Sequence, residues 1–287
     1  MTGLKRKLRT GLIGSRIQAS RSPAMHRAEA RALGMDLVYD LFDLENIPGG
    51  IDALPQILAK VQEQGYLGVN ITYPVKQTVI ALLDGISDDA KAMGACNTVV
   101  LRDGRKVGHN TDWFGFAENF RRGLPGAALN RVVLLGAGGV GSAVAYALLK
   151  LGARRVAVHE TDAARAGDFI ARFNDLAGDD VFVAARTIAQ DMADADGVIN
   201  CTPVGMLKAP GTPLPLALLQ AHQWVADVVY VPLRTELLRL AAAKGCRTLE
   251  GGGMAVFQAG EALRLFTGKE PDYERMLAQF QNDAQPS

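Results

Sequence analysis

The chain has 287 residues, long enough for two modest domains, each with its own core. Apolar residues make up 48% and charged residues 21%, which excludes a disordered chain. A net charge of +1 provides no long-range field for nucleic acid or an anionic membrane surface.

The short basic tract Lys5-Arg6-Lys7-Leu8-Arg9 runs straight into an apolar segment and reads as a solvated strand entry. The apolar part Gly11–Gly14 is too short for a signal-peptide core. The uncharged stretch 132–149 nears membrane-spanning length, but its glycines fit strand, turn and helix better. The chain is therefore read as cytoplasmic, with no nucleic-acid or membrane partner. Cys96, Cys201 and Cys246 are far apart and form no C-x-x-C, so neither a disulfide framework nor a zinc site is expected.

In chain order, residues 8–14 read as a buried strand and Pro23–Leu33 as a helix stopped by Gly34. A strand at 37–43 precedes a helix at 51–64, which carries Leu54, Ile57, Leu58 and Val61 on one face. A strand at 66–71 follows, and Pro74 is expected to open a helix to about Leu83. Residues 97–102 and 105–111 flank Asp103-Gly104, a two-residue hairpin signal. From 131 onward strands (131–135, 155–160, 181–185, 197–201, 224–230, 246–250) alternate with helices (139–151, 162–174, 235–243). Two closing helices are expected at about 254–267 and 272–283. The alternation implies a doubly wound parallel sheet. The fold class is α/β: an N-terminal α/β domain (1–112), a Rossmann-type dinucleotide domain (113–253), and C-terminal helices (254–287). A cleft between two domains is where a small ligand is usually held.

Gly136-Ala137-Gly138-Gly139-Val140-Gly141 ends a strand and opens a helix, the form of a pyrophosphate cradle. Gly136 permits the tight turn, Gly138 lets ligand approach the backbone, and Gly141 lets helix pack close to strand. The next strand, Val156-Ala157-Val158-His159-Glu160, ends in an acid suited to the ribose 2′-OH of NAD and hostile to the 2′-phosphate of NADP. Arg165 could face the adenine end or be a solvated helix residue.

Three further groupings carry polar chemistry. In Ser20-Arg21-Ser22-Pro23, Ser22 is the expected helix N-cap, and both hydroxyls lie where a small carboxylate could bind. In Asn70-Ile71-Thr72-Tyr73-Pro74-Val75-Lys76, Lys76 is expected in the first turn of a helix, where the dipole favours a neutral, proton-transferring amine. With Asp103-Gly104 as the turn, Asn97 lies opposite Asn110, and Asp112 becomes a diagonal neighbour of Asn97 on the same face.

Together these blocks resemble the shikimate/quinate dehydrogenase family over nearly the whole chain. The resemblance extends through Ser20–His26, Asn70–Lys76, Gly94–Thr98, Asn110–Asp112, Gly136–Gly141, Asn200–Met206, Asp227–Pro232 and Gly253-Met254…Gln258. It implies that Ser20 and Ser22, helped by Tyr230, bind the substrate carboxylate. Thr72, Asn97 and Gln258 would hold ring hydroxyls, and Lys76 with Asp112 would form the catalytic pair. Gly136, Gly138, Gly139, Val140, Gly141, Glu160 and Arg165 would hold the NAD cofactor, with Thr202, Val228, Gly251 and Met254 on the nicotinamide side. The closing helices would return to the first domain.

The implied activity is NAD-dependent hydride transfer between shikimate and 3-dehydroshikimate, a small cyclic hydroxy acid, with quinate open as a further substrate. A quinate- or aminoshikimate-preferring enzyme, an idle NAD-binding module and a homodimer all remain open. Many NADP-using members carry a basic cluster after the second nucleotide strand; here the sequence is Glu160-Thr161-Asp162-Ala163. Trp113 and Tyr73 depart from the family pattern beside the expected catalytic pair. Ser22 stands where some quinate-using relatives have threonine.

Overall fold

The computed structural model describes residues 7–282. It divides into two compact units. One comprises the chain up to Thr111 together with the chain from Val256; the other is Asp112–Ala255.

In the first unit the chain runs β1 (Leu8–Gly14), α1 (Ser22–Ala32), β2 (Leu37–Asp43), α2 (Leu54–Glu63), β3 (Gly68–Ile71), β4 (Gly85–Ile86), α3 (Asp88–Met93), β5 (Thr98–Arg102) and β6 (Arg105–His109). Its sheet has the order β2-β1-β3-β5-β6-β4. Helical crossovers make β1 parallel to β2 and β3, while β5 runs antiparallel to both its neighbours, β3 and β6. Leu54, Ile57, Leu58 and Val61 of α2 are buried with Val69, Ile71 and Val99. The two-residue strand period sends the neighbouring Val100 to the other face.

Asp103 and Gly104 both have positive φ (51° and 74°), as the hairpin turn requires. The register runs from Arg102↔Arg105 to Thr98↔His109 and stops there. Asp112 does not extend the strand as expected; it begins a helix, so the diagonal pairing with Asn97 does not form on a ladder. The helix expected from Pro74 is also absent. Residues 72–77 form turns, and only a five-residue 3₁₀ segment, Thr78–Leu82, follows. Thr78, Val79 and Ile80 are β-branched, which disfavours a longer helix.

The second unit runs α4 (Asp112–Gly123), β7 (Val132–Leu135), α5 (Gly139–Leu151), β8 (Val156–His159), α6 (Ala163–Ala177), β9 (Phe182–Ala184), α7 (Ile188–Ala193), β10 (Gly197–Asn200), β11 (Trp224–Asp227), α8 (Glu236–Ala243) and β12 (Arg247–Leu249). The sheet is parallel throughout in the order β12-β11-β10-β7-β8-β9. The direction of winding reverses between β7 and β10, and the ends of those strands flank the crevice where such sheets hold ligands. Val133, Leu135, Val198 and Val225 form the core with Leu237, Leu238 and Ala241 of α8.

Helix α9 (Gly252–Thr267) leads back into the first unit and is followed by α10 (Tyr273–Asn282). Within that unit Ala262 and Phe266 of α9 pack on Val100, so tightly that a Cβ at Gly68 would lie 2.4 Å from Phe266. Helix α10 is fastened to α1 through Glu29, which is only 1% exposed. Its carboxylate accepts from Asp272 N (2.8 Å) and from Arg275 Nε (2.9 Å) and Nη2 (2.6 Å), the pairing a buried charge requires.

No helix among the described residues is long and apolar enough to cross a membrane. Lys5 and Arg6 of the basic tract lie outside the described residues. Arg9 sits within β1, where its guanidinium donates to Asp40 and Tyr66.

Candidate active site

The first unit assembles a polar array around the start of α1. Ser22 is not the N-cap expected from the sequence. It is already the first helical residue, and Arg21 occupies the cap position in helical conformation without a side-chain cap. Instead, Ser20 Oγ accepts from the Ser22 N–H at 3.3 Å. A residue with helical φ and ψ directs its side chain away from the next free N–H groups, so Ser22 is not placed to cap them. Arg21 turns away from both serines: its guanidinium lies 3.6 Å from the Phe280 ring centroid and donates to the Phe280 carbonyl at 2.5 Å.

Beside it, Tyr39 donates to Asn70 Oδ1 at 2.9 Å, and Asn70 Nδ2 donates to Thr98 Oγ1 at 3.1 Å. Thr98 donates to Asn97 Oδ1 at 2.9 Å, and Asn97 Nδ2 donates to Gln258 Oε1 at 3.1 Å. The structure thus brings Asn97 and Gln258 into one network with Tyr39, Asn70 and Thr98. Tyr39, Asn70 and Thr98 received no role from the sequence. A buried asparagine in the short apolar strand Gly68–Ile71 was the available signal, since a buried amide must find partners.

Thr72 follows β3 directly, and its N–H donates to Ile13 O at 2.9 Å. Lys76 lies in a turn rather than at a helix N-terminus, so the helix-dipole argument for its role falls away. Its carbonyl accepts from Cys96 N–H at 2.8 Å, tying the turn to the residue before Asn97.

In the second unit the glycine turn has the demands read from the sequence. Gly136 has φ +95°, and a Cβ at Gly141 would lie 2.3 Å from Gly136 O. A Cβ at Gly138 or Gly139 would meet nothing within 4 Å, so the backbone there faces open space. Glu160 reaches this turn: its Oε2 accepts from Ala137 N–H at 3.0 Å, and its Oε1 from Asp162 N–H and Thr161 Oγ1 at 3.1 Å each. Burial works to raise this carboxyl, but those hydrogen bonds and the Arg165 charge outweigh it and hold Glu160 below the usual range. Arg165 is drawn to Glu160 (3.6 Å) and Asp162 (3.3 Å).

The loops after β10 and β11 are built around Asn200 and Asp227. Asn200 Oδ1 accepts from Thr202 N–H (3.0 Å) and Oγ1 (2.7 Å), while its Nδ2 donates to Asp227 Oδ1 at 3.0 Å. Asp227 also accepts from Val229 N–H (3.0 Å) and Thr235 Oγ1 (2.7 Å). Burial dominates its environment and pushes this carboxyl up. A Cβ at Gly251 would lie 2.5 Å from Val228 O, so Val228 and Gly251 are in backbone contact, with Met254 buried one turn into α9. Tyr230 is exposed at the end of the same loop. Asp112 is buried in the first turn of α4, where the dipole favours an acid. Next to it, Trp113 packs edge-on against Tyr146 (5.3 Å between centroids).

The family model of the shikimate dehydrogenase substrate binding domain matches residues 12–99. A relative from Streptomyces avermitilis named "Shikimate dehydrogenase (NADP(+))" is 53% identical over 270 residues, covering 93% of this chain and 93% of its own. The chain belongs to the shikimate/quinate dehydrogenase family. A relative from Corynebacterium efficiens named "Quinate/shikimate dehydrogenase (NAD(+))" is 48% identical, covering 94% of this chain and 96% of its own. Among solved structures, quinate dehydrogenase from Corynebacterium glutamicum in complex with NAD superimposes with a TM-score of 0.93. It is 44% identical, covering 96% of this chain and 99% of its own. The fold is that of this oxidoreductase family, a substrate domain joined to a Rossmann-type domain.

Proposed function

We propose that this member of the family is an NAD-preferring dehydrogenase interconverting shikimate and 3-dehydroshikimate, with quinate and 3-dehydroquinate as a second pair. The observation that carries the reading is the open backbone at Gly138 and Gly139 beside the Glu160 carboxylate. A dinucleotide pyrophosphate fits a glycine turn with free space above it at the start of α5. Glu160 would take the adenosine ribose, and a 2′-phosphate would meet its negative charge. Arg165, held by two carboxylates, is poorly placed to compensate. Relatives of similar identity carry NAD and NADP in their names, so the cofactor preference rests on these residues.

Thr202, Val228, Gly251 and Met254 would line the nicotinamide side, with Gly136–Gly141 holding the pyrophosphate. When bound, the nicotinamide accepts or delivers the hydride at the ring carbon. The remaining work belongs to side chains. Ser20 and Ser22, with Tyr230, anchor the ring carboxylate; Thr72, Asn97 and Gln258 orient the hydroxyls. Lys76 exchanges the hydroxyl proton and Asp112 is the carboxylate that acts with it.

Initial rates with shikimate and quinate, each with NAD and NADP, test this reading. The expected result is turnover of shikimate with higher kcat/KM for NAD than for NADP. Higher efficiency with NADP would overturn the cofactor assignment, and no turnover of either ring acid would leave an idle nucleotide-binding module. The quinate-preferring reading has one specific support, the TM-score of 0.93 to an enzyme named for quinate. The same four rates decide it.

A further inference from the structure

We propose that Asp43 is a positioning residue of the substrate site: its carboxylate shapes the turn that delivers Ser20 and Ser22, and so sets how tightly the ring carboxylate is held. The inference rests on the reading of those two serines given above.

Asp43 ends β2 directly opposite Gly14, the last residue of β1. From Gly14 the chain crosses residues 15–21 to reach α1, with no helix or strand of its own. The backbone of such a segment needs partners from outside it. Ser15 N–H donates to Tyr73 O at 2.9 Å, and Arg16 N–H donates to Asp43 Oδ1 at 3.0 Å. Asp43 Oδ2 accepts from Gln18 Nε2 at 3.0 Å. One carboxylate therefore grips the turn on both sides of Ile17.

That grip meets a specific demand. Arg16 has φ +58°, a left-handed conformation in which a side chain crowds its own backbone. The bond to Asp43 holds the residue there. Asp43 itself is buried, and burial works to raise its carboxyl. Hydrogen bonds from the Gln18 side chain and from the N–H groups of Glu45 and Arg16 outweigh that effect and hold it below the usual range. The group is thus charged at neutral pH, and its hydrogen bonds are the stronger, charge-assisted kind.

From the turn to the serines the path is short. Ile17 is buried with Leu12 and Tyr39, and its carbonyl accepts from Ser20 N–H at 2.9 Å. Ser20 Oγ in turn accepts from Ser22 N–H. At the other end of the turn, a Cβ at Gly14 would lie 2.3 Å from Thr72 Cγ2 and 3.3 Å from Ile17 Cγ2. The turn thus packs beside a residue assigned to the ring hydroxyls. Releasing Arg16 and Gln18 would shift the serines relative to Thr72, and the substrate carboxylate would register the mismatch.

The test measures Asp43→Ala, Asp43→Asn and Gln18→Ala at saturating NAD, with shikimate and with its methyl ester, which lacks the negative charge. Thermal midpoints are measured alongside. Wild type should show a higher KM for the ester than for the acid. Asp43→Ala should raise the shikimate KM about 10-fold, the low end of what a hydrogen bond to a charged group is worth. Its kcat should stay within about threefold, its ester KM within about twofold, and its NAD KM should not move. Asp43→Asn keeps an oxygen for Arg16 N–H, and Gln18 can turn its amide to accept from the new one. Its shikimate KM should stay within about threefold of wild type. Gln18→Ala removes one exposed contact and should raise the shikimate KM about twofold to threefold; it decides the matter if Asp43→Ala fails to fold.

An unchanged shikimate KM in Asp43→Ala overturns this proposal alone, as do equal rises for acid and ester, the pattern of general loosening. Equal damage by Asn and Ala would assign the effect to charge and overturn the positioning role. A wild type that does not distinguish acid from ester overturns the reading of the two serines, and the role of Asp43 with it. No turnover of shikimate by wild type overturns the dehydrogenase reading itself.

Discussion

The Glu160 carboxylate accepts the backbone N–H of Ala137 at 3.0 Å, pinning the acidic end of β8 to the glycine turn after β7. The acid that would choose between cofactors thus also braces the turn that would hold their common pyrophosphate. Replacing it should alter selectivity and affinity together.

Glu160→Ala is expected to lower kcat/KM for NAD by about tenfold or more, the worth of a hydrogen bond to a charged group. The loss with NADP should be smaller, because a repulsion disappears as well. The NAD-to-NADP ratio therefore falls. A ratio that stays at the wild-type value in steady-state assays would show that Glu160 does not face the ribose.

Two glycines of the same turn should respond in opposite ways. Gly138 has φ −78° and open space where a Cβ would stand, so Gly138→Ala should keep its thermal midpoint within about 2 °C while raising the NAD KM. At Gly141 a Cβ would press on Gly136 O at 2.3 Å, and overpacking of this kind costs about 1–3 kcal/mol. Gly141→Ala should melt several degrees lower. Equal melting of the two variants would contradict this division of labour.

The geometry of this glycine turn, tight at Gly136 and close-packed at Gly141, was legible in the sequence because it is a local demand of a strand, turn and helix. So was the hairpin register, fixed by Asp103-Gly104. The failures came where long-range partners decide. Pro74 suggested a helix, but the chain from Thr72 spends its backbone groups on turns and on Cys96. Extending the hairpin to residue 112 hid α4, although Phe116, Ala117 and Phe120 marked a buried helical face. Helix α7 had a visible signal in its Thr187–Gln190 capping box. Of the proposed contacts, Ser22, Asn97 and Gln258 were named from motifs. Tyr39, which reaches Asn97 and Gln258 through Asn70 and Thr98, was not, since it belongs to no motif and meets Asn70 only across β1, which lies between their strands.

His26 provides a pH test. Burial pushes its imidazole down to about 3, from an ordinary value near 6.5. The unfolded chain takes up a proton below about pH 6.5, whereas the folded protein does not until far lower. The stability linked to this residue is therefore complete above that pH and lost as pH falls toward 3, by roughly 2 kcal/mol at pH 5. His26→Phe, which keeps an aromatic ring against Tyr39, should lose less stability than wild type between pH 7 and 5 in denaturant titrations. Parallel losses in the two proteins would mean that His26 is protonated in the fold.

The most direct test of proton exchange by Lys76, on which the proposed mechanism turns, is the rate of shikimate-dependent NAD reduction by wild type and Lys76→Ala, with NAD affinity and thermal midpoint measured on both. Loss of the proton-exchanging group should lower kcat by about 10²- to 10⁴-fold, with NAD affinity and midpoint unchanged. Near-normal turnover by Lys76→Ala would contradict the account.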